Sequence, residues 1–375
     1  MTTAPVLTRI ALGRIVLGWG AGLALALSGS LLEPPVAGPL LLLTLAAIVG
    51  VILVCAFGVV HEAEHLARRL GDPYGSLVLT LSIVLIEVVL ISAVMLGPGE
   101  HSTIARDSVM AVSMIILNLV IGLCLLIGGI RHGSLAPNRT GTSAYLVMLV
   151  VLCALAFALP GLIGQGGSYP TAQAAAVVVL TAGLYAFFLA RQMGPQAGDF
   201  REVDPRFAAP QDENTPGVRQ VIAEHARELV LRAVLLVVTV LPIVLLSHDM
   251  ASLLDDGLGR LGAPVALSGI LIAAIVFLPE SITSVRAALQ GEIQRVSNLC
   301  HGALVSTVGL TIPAVLVIGG LTGQSVLLAE TPANLLLLGL TLLLTAVSFL
   351  APRVTAVHGA AHLVVFAVYG IAVFS

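Results

Sequence analysis

The chain has 375 residues, of which 58% are hydrophobic and only 10% charged, with a mean hydropathy of +1.07 and a formal net charge of −3. A soluble domain carries nearer ~25% charged residues, and a globular core cannot hide this much apolar surface, so lipid must cover the remainder. The small net charge and the absence of any basic run exclude nucleic acid as a partner.

Every basic residue is arginine, and the four cysteines (Cys55, Cys124, Cys153, Cys300) stand singly in apolar runs. They suggest neither a metal cluster nor a disulfide framework. A membrane span needs ~20 apolar residues to cross a hydrocarbon core of ~30 Å. Segmentation at charges, proline and glycine predicts eleven spans. The first, residues 10–32, runs into Glu33-Pro34-Pro35 instead of a small-residue cleavage site, and reads as a retained helix. The others run over 36–60, 75–97, 105–130, 143–164, 169–191, 229–247, 263–289, 297–319, 332–350 and 353–374. With the N-terminus inside, 15 of the 17 arginines fall in alternate connections, leaving only Arg106 and Arg260 outside. That asymmetry predicts a cytoplasmic N-terminus and an external C-terminus in the inner membrane.

The expected fold is therefore an all-α integral membrane protein. An N-terminal helix (1–35) precedes a five-helix block (36–193), a cytoplasmic linker (194–228) and a second five-helix block (229–375). The linker is polar and contains Pro195, Pro205, Pro210 and Pro216. An odd number of helices per block inverts the second relative to the first, the arrangement of many secondary transporters, which bind their cargo at mid-membrane between the repeats.

The second helix of each block carries a lone glutamate: Glu87 in Ile83–Val89 and Glu280 in Ala274–Ser281. Glu87 is the one charge between Gly75 and Gly99. An ionised carboxylate in hydrocarbon costs several kcal/mol, so such groups face a cavity or a partner. A pair that is neutral when protonated and dianionic when not suits the exchange of protons for a cation. A hard divalent cation would take oxygens from both, with hydroxyls, amides and freed carbonyls completing the shell. Pro279 removes a backbone hydrogen bond next to Glu280 and so provides one such carbonyl. Candidate supporting residues are Ser82, Ser113, Asn118, Ser281, Ser284, Ser306, Thr307 and Thr311, while Gly122, Gly302 and Gly309 suit close helix packing. Hydroxyls in membrane helices also commonly bond their own backbone.

His61-Glu62-Ala63-Glu64-His65 matches the H-E-x-x-H zinc-protease pattern, and Asp255-Asp256-Gly257 offers a distant acidic partner. The expected topology places these at opposite faces of the membrane, too far apart for one zinc with ligands at ~2 Å. The remaining readings of His61, Glu62, Glu64 and His65 are a polar interfacial helix end, or a patch where cations enter from the cytoplasm and pH is sensed. Asp249, Asp255 and Asp256 read as an external loop, either simply solvated or forming an acidic mouth.

The run His65–Leu77 with its continuation to Glu87-Val88 resembles the first repeat signature of ChaA-type calcium (sodium)/proton antiporters, in the CAX branch of the cation/calcium exchanger superfamily. Ala105–Leu119 and Leu278–Pro313 are similar to the same group. The resemblance implies a first helix plus two inverted five-helix repeats, with Glu87 and Glu280 as the acidic transport residues. This chain departs from the Gly-Asn-Ala-x-Glu pattern of many members, having Ile83-Val84-Leu85-Ile86-Glu87 and Phe277-Leu278-Pro279-Glu280. The expected function is cation/proton antiport by alternating access, with calcium first and sodium or potassium next. No cofactor is expected, and the partners are the bilayer and the transported ions. A cation channel and an intramembrane zinc metalloprotease are the alternatives.

Overall fold

The computed structural model describes residues 7–28, 36–70, 102–208, 218–263 and 266–374, and within the remaining stretch residues 81, 84, 85, 87, 88, 91, 92 and 95. These last are helical and are designated α3. The other elements are α1 (Arg9–Ser28), α2 (Gly38–Leu70), α4 (Ile104–His132), α5 (Arg139–Ile163), α6 (Thr171–Gln192) and α7 (Val218–Arg260). They continue with α8 (Ala266–Gln290), α9 (Ile293–Thr322), α10 (Pro332–Leu350) and α11 (Ala356–Val373). Among the described residues nine helices are long and apolar enough to cross a membrane, and α8 makes a tenth although it is broken between Ile275 and Glu280. The protein is an all-helical, multi-pass membrane protein.

Two helices outrun the spans predicted for them. The helix α2 continues beyond residue 60 to Leu70, so His61–His65 lies within it. The helix α7 takes up 218–228 of the expected linker, kinks at His225, and extends through Asp249, Asp255 and Asp256, which are helical and not a loop. In α7 the reason is local. Polar residues one turn apart satisfy each other, Gln220 with Glu224 at 2.9 Å and Arg260 with Asp256 at 2.5 Å, so the helix persists after its apolar segment ends. Segmenting at charges finds the part that crosses hydrocarbon, not the length of the helix.

The chain forms two compact units, and each draws on both sequence blocks: Met1–Ser82 with Gln211–Pro279, and Ile83–Pro210 with Glu280–Ser375. In the first unit, α1 lies against α7 at a proline. Pro242 has no N–H to give the carbonyl of Val238, which accepts the indole N–H of Trp19 at 3.1 Å instead. Gly18 permits the approach, since a Cβ there would lie 3.0 Å from Pro242.

In the second unit α4 and α9 are the most enclosed helices. Each of α4 and α5 contains a π turn, at Ile115–Val120 and Ala154–Ala158. Such wide turns recur at functional sites because they redirect side chains and free carbonyls. The linker residues 194–208 belong to this unit and clasp its helix ends. Glu202 accepts from the N–H of Gln294 at the start of α9 at 2.9 Å, while Arg206 donates to the carbonyls of His132 and Ser134 at the end of α4. A carboxylate at a helix N-terminus and a guanidinium at a C-terminus both complement the helix dipole. Arg206 also pairs with the enclosed carboxylate of Asp204 at 2.7 Å and holds it down at about 2.

Candidate cation-binding site

Both glutamates fall in the second unit, Glu87 on α3 and Glu280 at the start of the second segment of α8. Each is only 4% exposed. The hydroxyl of Thr307 on α9 donates to Glu87 Oε2 at 2.5 Å. Glu87 Oε1 and both oxygens of Glu280 have no hydrogen-bond partner among the described residues, and the two carboxyls lie within electrostatic range of each other. Two buried carboxyls within electrostatic range of each other cannot both stay ionised and uncompensated.

The helix α9 supplies further oxygens. Thr311 is one turn beyond Thr307 on the same face, and its buried Oγ1 has no partner among the described residues. Pro313 cannot donate to the carbonyl of Gly309, but that oxygen lies on the opposite side of α9 from the two threonines, where Gly309 packs on Tyr185. The helix α8 bends by 54° between Ile275 and Glu280, and Pro279 beside Glu280 has no N–H to give the carbonyl of Ile275. One turn further, Ser284 accepts from the thiol of Cys300 at 3.7 Å, which ties α8 to α9.

The other predicted residues have separate roles. Ser306 accepts from the hydroxyl of Tyr185 on α6 at 2.9 Å, and Gly309 packs on the same ring. Ser113 bonds the carbonyl of Val109 at 2.7 Å, on its own helix. Asn118, within the π turn of α4, donates to Thr341 at 2.8 Å, and its carbonyl faces His362 Nδ1 at 3.3 Å. Both ends of that amide are thus engaged with α10 and α11. Ser82 lies outside the described residues.

The chain matches the sodium/calcium exchanger protein family over residues 40–194 and 231–375, most of its length. It belongs to that family. The sodium-potassium/proton antiporter ChaA of Escherichia coli (strain K12) is 31% identical over 341 residues, covering 89% of each chain. The fold is shared with solved structures: native YfkE has a TM-score of 0.66 at 18% identity, over 96% of this chain and 99% of that one. The H+/Ca2+ exchanger CAX has a TM-score of 0.65 at 14% identity, over 96% of this chain and 87% of that one. The protein is a membrane transporter that exchanges cations.

In the exchanger's first unit the His61–His65 segment has a different character from a zinc site. Glu62, 6% exposed, accepts from Arg232 on α7 at 2.6 Å, and Arg232 also pairs with Glu228 at 3.1 Å. The residue that a metalloprotease would use as general base is committed to a buried ion pair. The rings of His61 and His65 pack edge to face with centroids 4.6 Å apart. Asp256, expected in an external loop, accepts from the N–H of Val36 at 3.1 Å and braces the start of α2.

Sequence reasoning missed Tyr185, Thr341, His362 and Arg232. Tyr185, Thr341 and His362 sit in apolar runs with nothing local to mark them. Arg232 was visible as the i,i+4 partner of Glu228, but its contact with Glu62 is 170 residues away.

Proposed function

We propose that this exchanger carries a cation in one direction and protons in the other, with Glu87 and Glu280 as the groups that both occupants share. The observation that carries the reading is the pair of buried carboxyls in one unit with three of their four oxygens unpartnered among the described residues. Ionised, the pair presents two negative charges to a cation, with the hydroxyls of Thr307 and Thr311 as further ligands. Protonated, it is neutral and needs no cation. The two occupancies exclude each other, and that exclusion is the coupling.

Calcium is the first cargo on this reading, since two carboxylates match a divalent charge. Sodium and potassium follow, and the E. coli relative is named for those two ions. The arginine distribution supports an inner-membrane protein with its N-terminus in the cytoplasm, and the sequence blocks support inverted repeats that alternate access to one site. The deciding measurement is proton flux in everted vesicles challenged in turn with Ca2+, Na+ and K+. Glu280→Gln and Glu87→Gln are each expected to abolish cation-driven proton movement with every ion. Retention of the flux in either variant would remove the shared-site mechanism.

A further inference from the structure

At the end of the second unit away from the linker, three interhelical connections are laced together by their backbones. Leu327 donates to the carbonyl of Ser102 at 2.9 Å, Leu328 and Ala329 to that of Gly167 at 3.1 and 3.0 Å, and Glu330 to that of Phe157 at 3.1 Å. Phe157 belongs to the π turn of α5, which leaves carbonyls open to outside donors. Tyr169 takes another of them, Leu155, at 2.7 Å. Residues 326–330 therefore form a strap seated on α4 and α5.

A carboxyl closes this strap. The side chain of Glu330 is 1% exposed. Its Oε2 accepts from the N–H of Thr331 at 3.0 Å and from Asn334 Nδ2 at 2.9 Å. Its Oε1 is buried without a hydrogen bond among the described residues, and Arg106 Nε stands off at 3.9 Å. That guanidinium is already committed to Asp107 at 2.8 Å and to the carbonyl of Ala329 at 3.1 Å. The groups facing Glu330 are thus Arg106 and Asp107 from α4, Thr331 and Asn334 around the start of α10, and Tyr369 from α11, which lies within electrostatic range of both acids.

We propose that Glu330 is a proton-binding switch on the strap, which stays seated when the carboxyl is protonated and loosens when it is ionised. An ionised carboxylate enclosed here loses its water on one oxygen and gains only a distant, shared cation in return. Asp107 adds like-charge repulsion. Burial accordingly pushes this carboxyl above its ordinary value of 4.5. The seated strap thus holds the proton more tightly than an open one. By linkage, raising the pH from the ordinary value to the raised one favours opening, and above the raised value the effect levels off. On the antiport reading this end faces outward, where the exchanged protons are met. The switch itself is measurable without transport.

The test is hydrogen exchange on the full chain in lipid nanodiscs, following the amides of 327–330 with rates corrected for intrinsic chemical exchange at each pH. In the wild type their protection is expected to fall with rising pH by up to ~10-fold per pH unit and then to level off. Amides in the middle of α4 serve as the reference for global opening and should not follow. Glu330→Gln, which keeps the side chain neutral, should hold the strap protected and flat across the range. A flat wild-type profile overturns the proposal, as does a Glu330→Gln profile that tracks the wild type. If the variant does not fold, the wild-type titration decides alone. Because the readout is local opening, its failure leaves the shared-site mechanism standing, and retention of flux in the Glu87→Gln or Glu280→Gln vesicles leaves the switch standing.

Discussion

Thr307 shows how one hydroxyl serves the candidate site. It donates to Glu87 Oε2 at 2.5 Å from a helix of the other sequence block. A hydrogen bond to a charged group contributes ~1.5–3 kcal/mol. Thr307→Val keeps the shape and deletes the donor, so the half-saturating cation concentration in the vesicle assay should rise roughly tenfold or more while folding is kept. The ion pair of Arg232 makes a contrasting case, since it concerns stability and not cargo. Arg232→Ala leaves Glu62 buried and alone, a loss of ~3–5 kcal/mol. Glu62→Ala should cost less, because Arg232 keeps Glu228 at 3.1 Å. Replacing Glu62 and Arg232 together with leucine and methionine should recover most of the loss, read as Tm in detergent. Glu87 and Glu280 were legible in the sequence because a lone charge in an apolar run has few bland explanations. Asn118 was legible as a buried amide, but its partners Thr341 and His362 depend on which helices pack beside α4.

Among elements, the crossing of α4 and α11 depends on glycine. A Cβ at Gly359 would meet the backbone N–H of Leu126 and the carbonyl of Gly122, neither of which is a flexible side-chain end. Gly359→Ala should therefore force the helices apart at an expense of ~1–3 kcal/mol, seen as a lowered Tm, and should disturb the contact of His362 with Asn118 one turn away. Gly302 faces Tyr145 at 3.4 Å and is the milder position, where alanine should be nearly neutral. Small residues were read from the sequence as packing sites, and the structure distinguishes those against backbone from those against a movable ring. The spans were also legible, because hydrocarbon thickness sets their minimum length. Their true ends were not, because polar turns beyond the apolar segment are satisfied by i,i+4 pairs in α7 and by the distant Arg232 in α2.

For the whole molecule, the linker is the feature that most changes the picture. Residues 194–208 were expected as a polar connection, yet they cap the end of α4 and the start of α9. The Asp204 carboxyl, held at about 2 by Arg206, keeps its charge far into acid. A lowered carboxyl value contributes stability above the ordinary carboxylate range and loses it as pH falls through about 2. Protection of the amide of Ala136, which donates to Asp204 at 3.2 Å, should persist at mildly acid pH and fail near that value. Arg206→Ala should expose it at neutral pH, as hydrogen exchange would show.

The amino-acid sequence by itself determined that this protein lives in a membrane, that it crosses it many times as helices, and that Glu87 and Glu280 each stand alone in an apolar run. Those conclusions follow from apolar length and from the expense of buried charge, both local properties. The tertiary structure alone decided what surrounds the carboxyls. It brought Thr307 to Glu87, tied Arg232 to Glu62, seated the linker on two helix ends and enclosed the Glu330 carboxyl at the end of a strap. Each of these joins residues far apart in the chain, and no periodicity within one helix records which distant helix will pack against it.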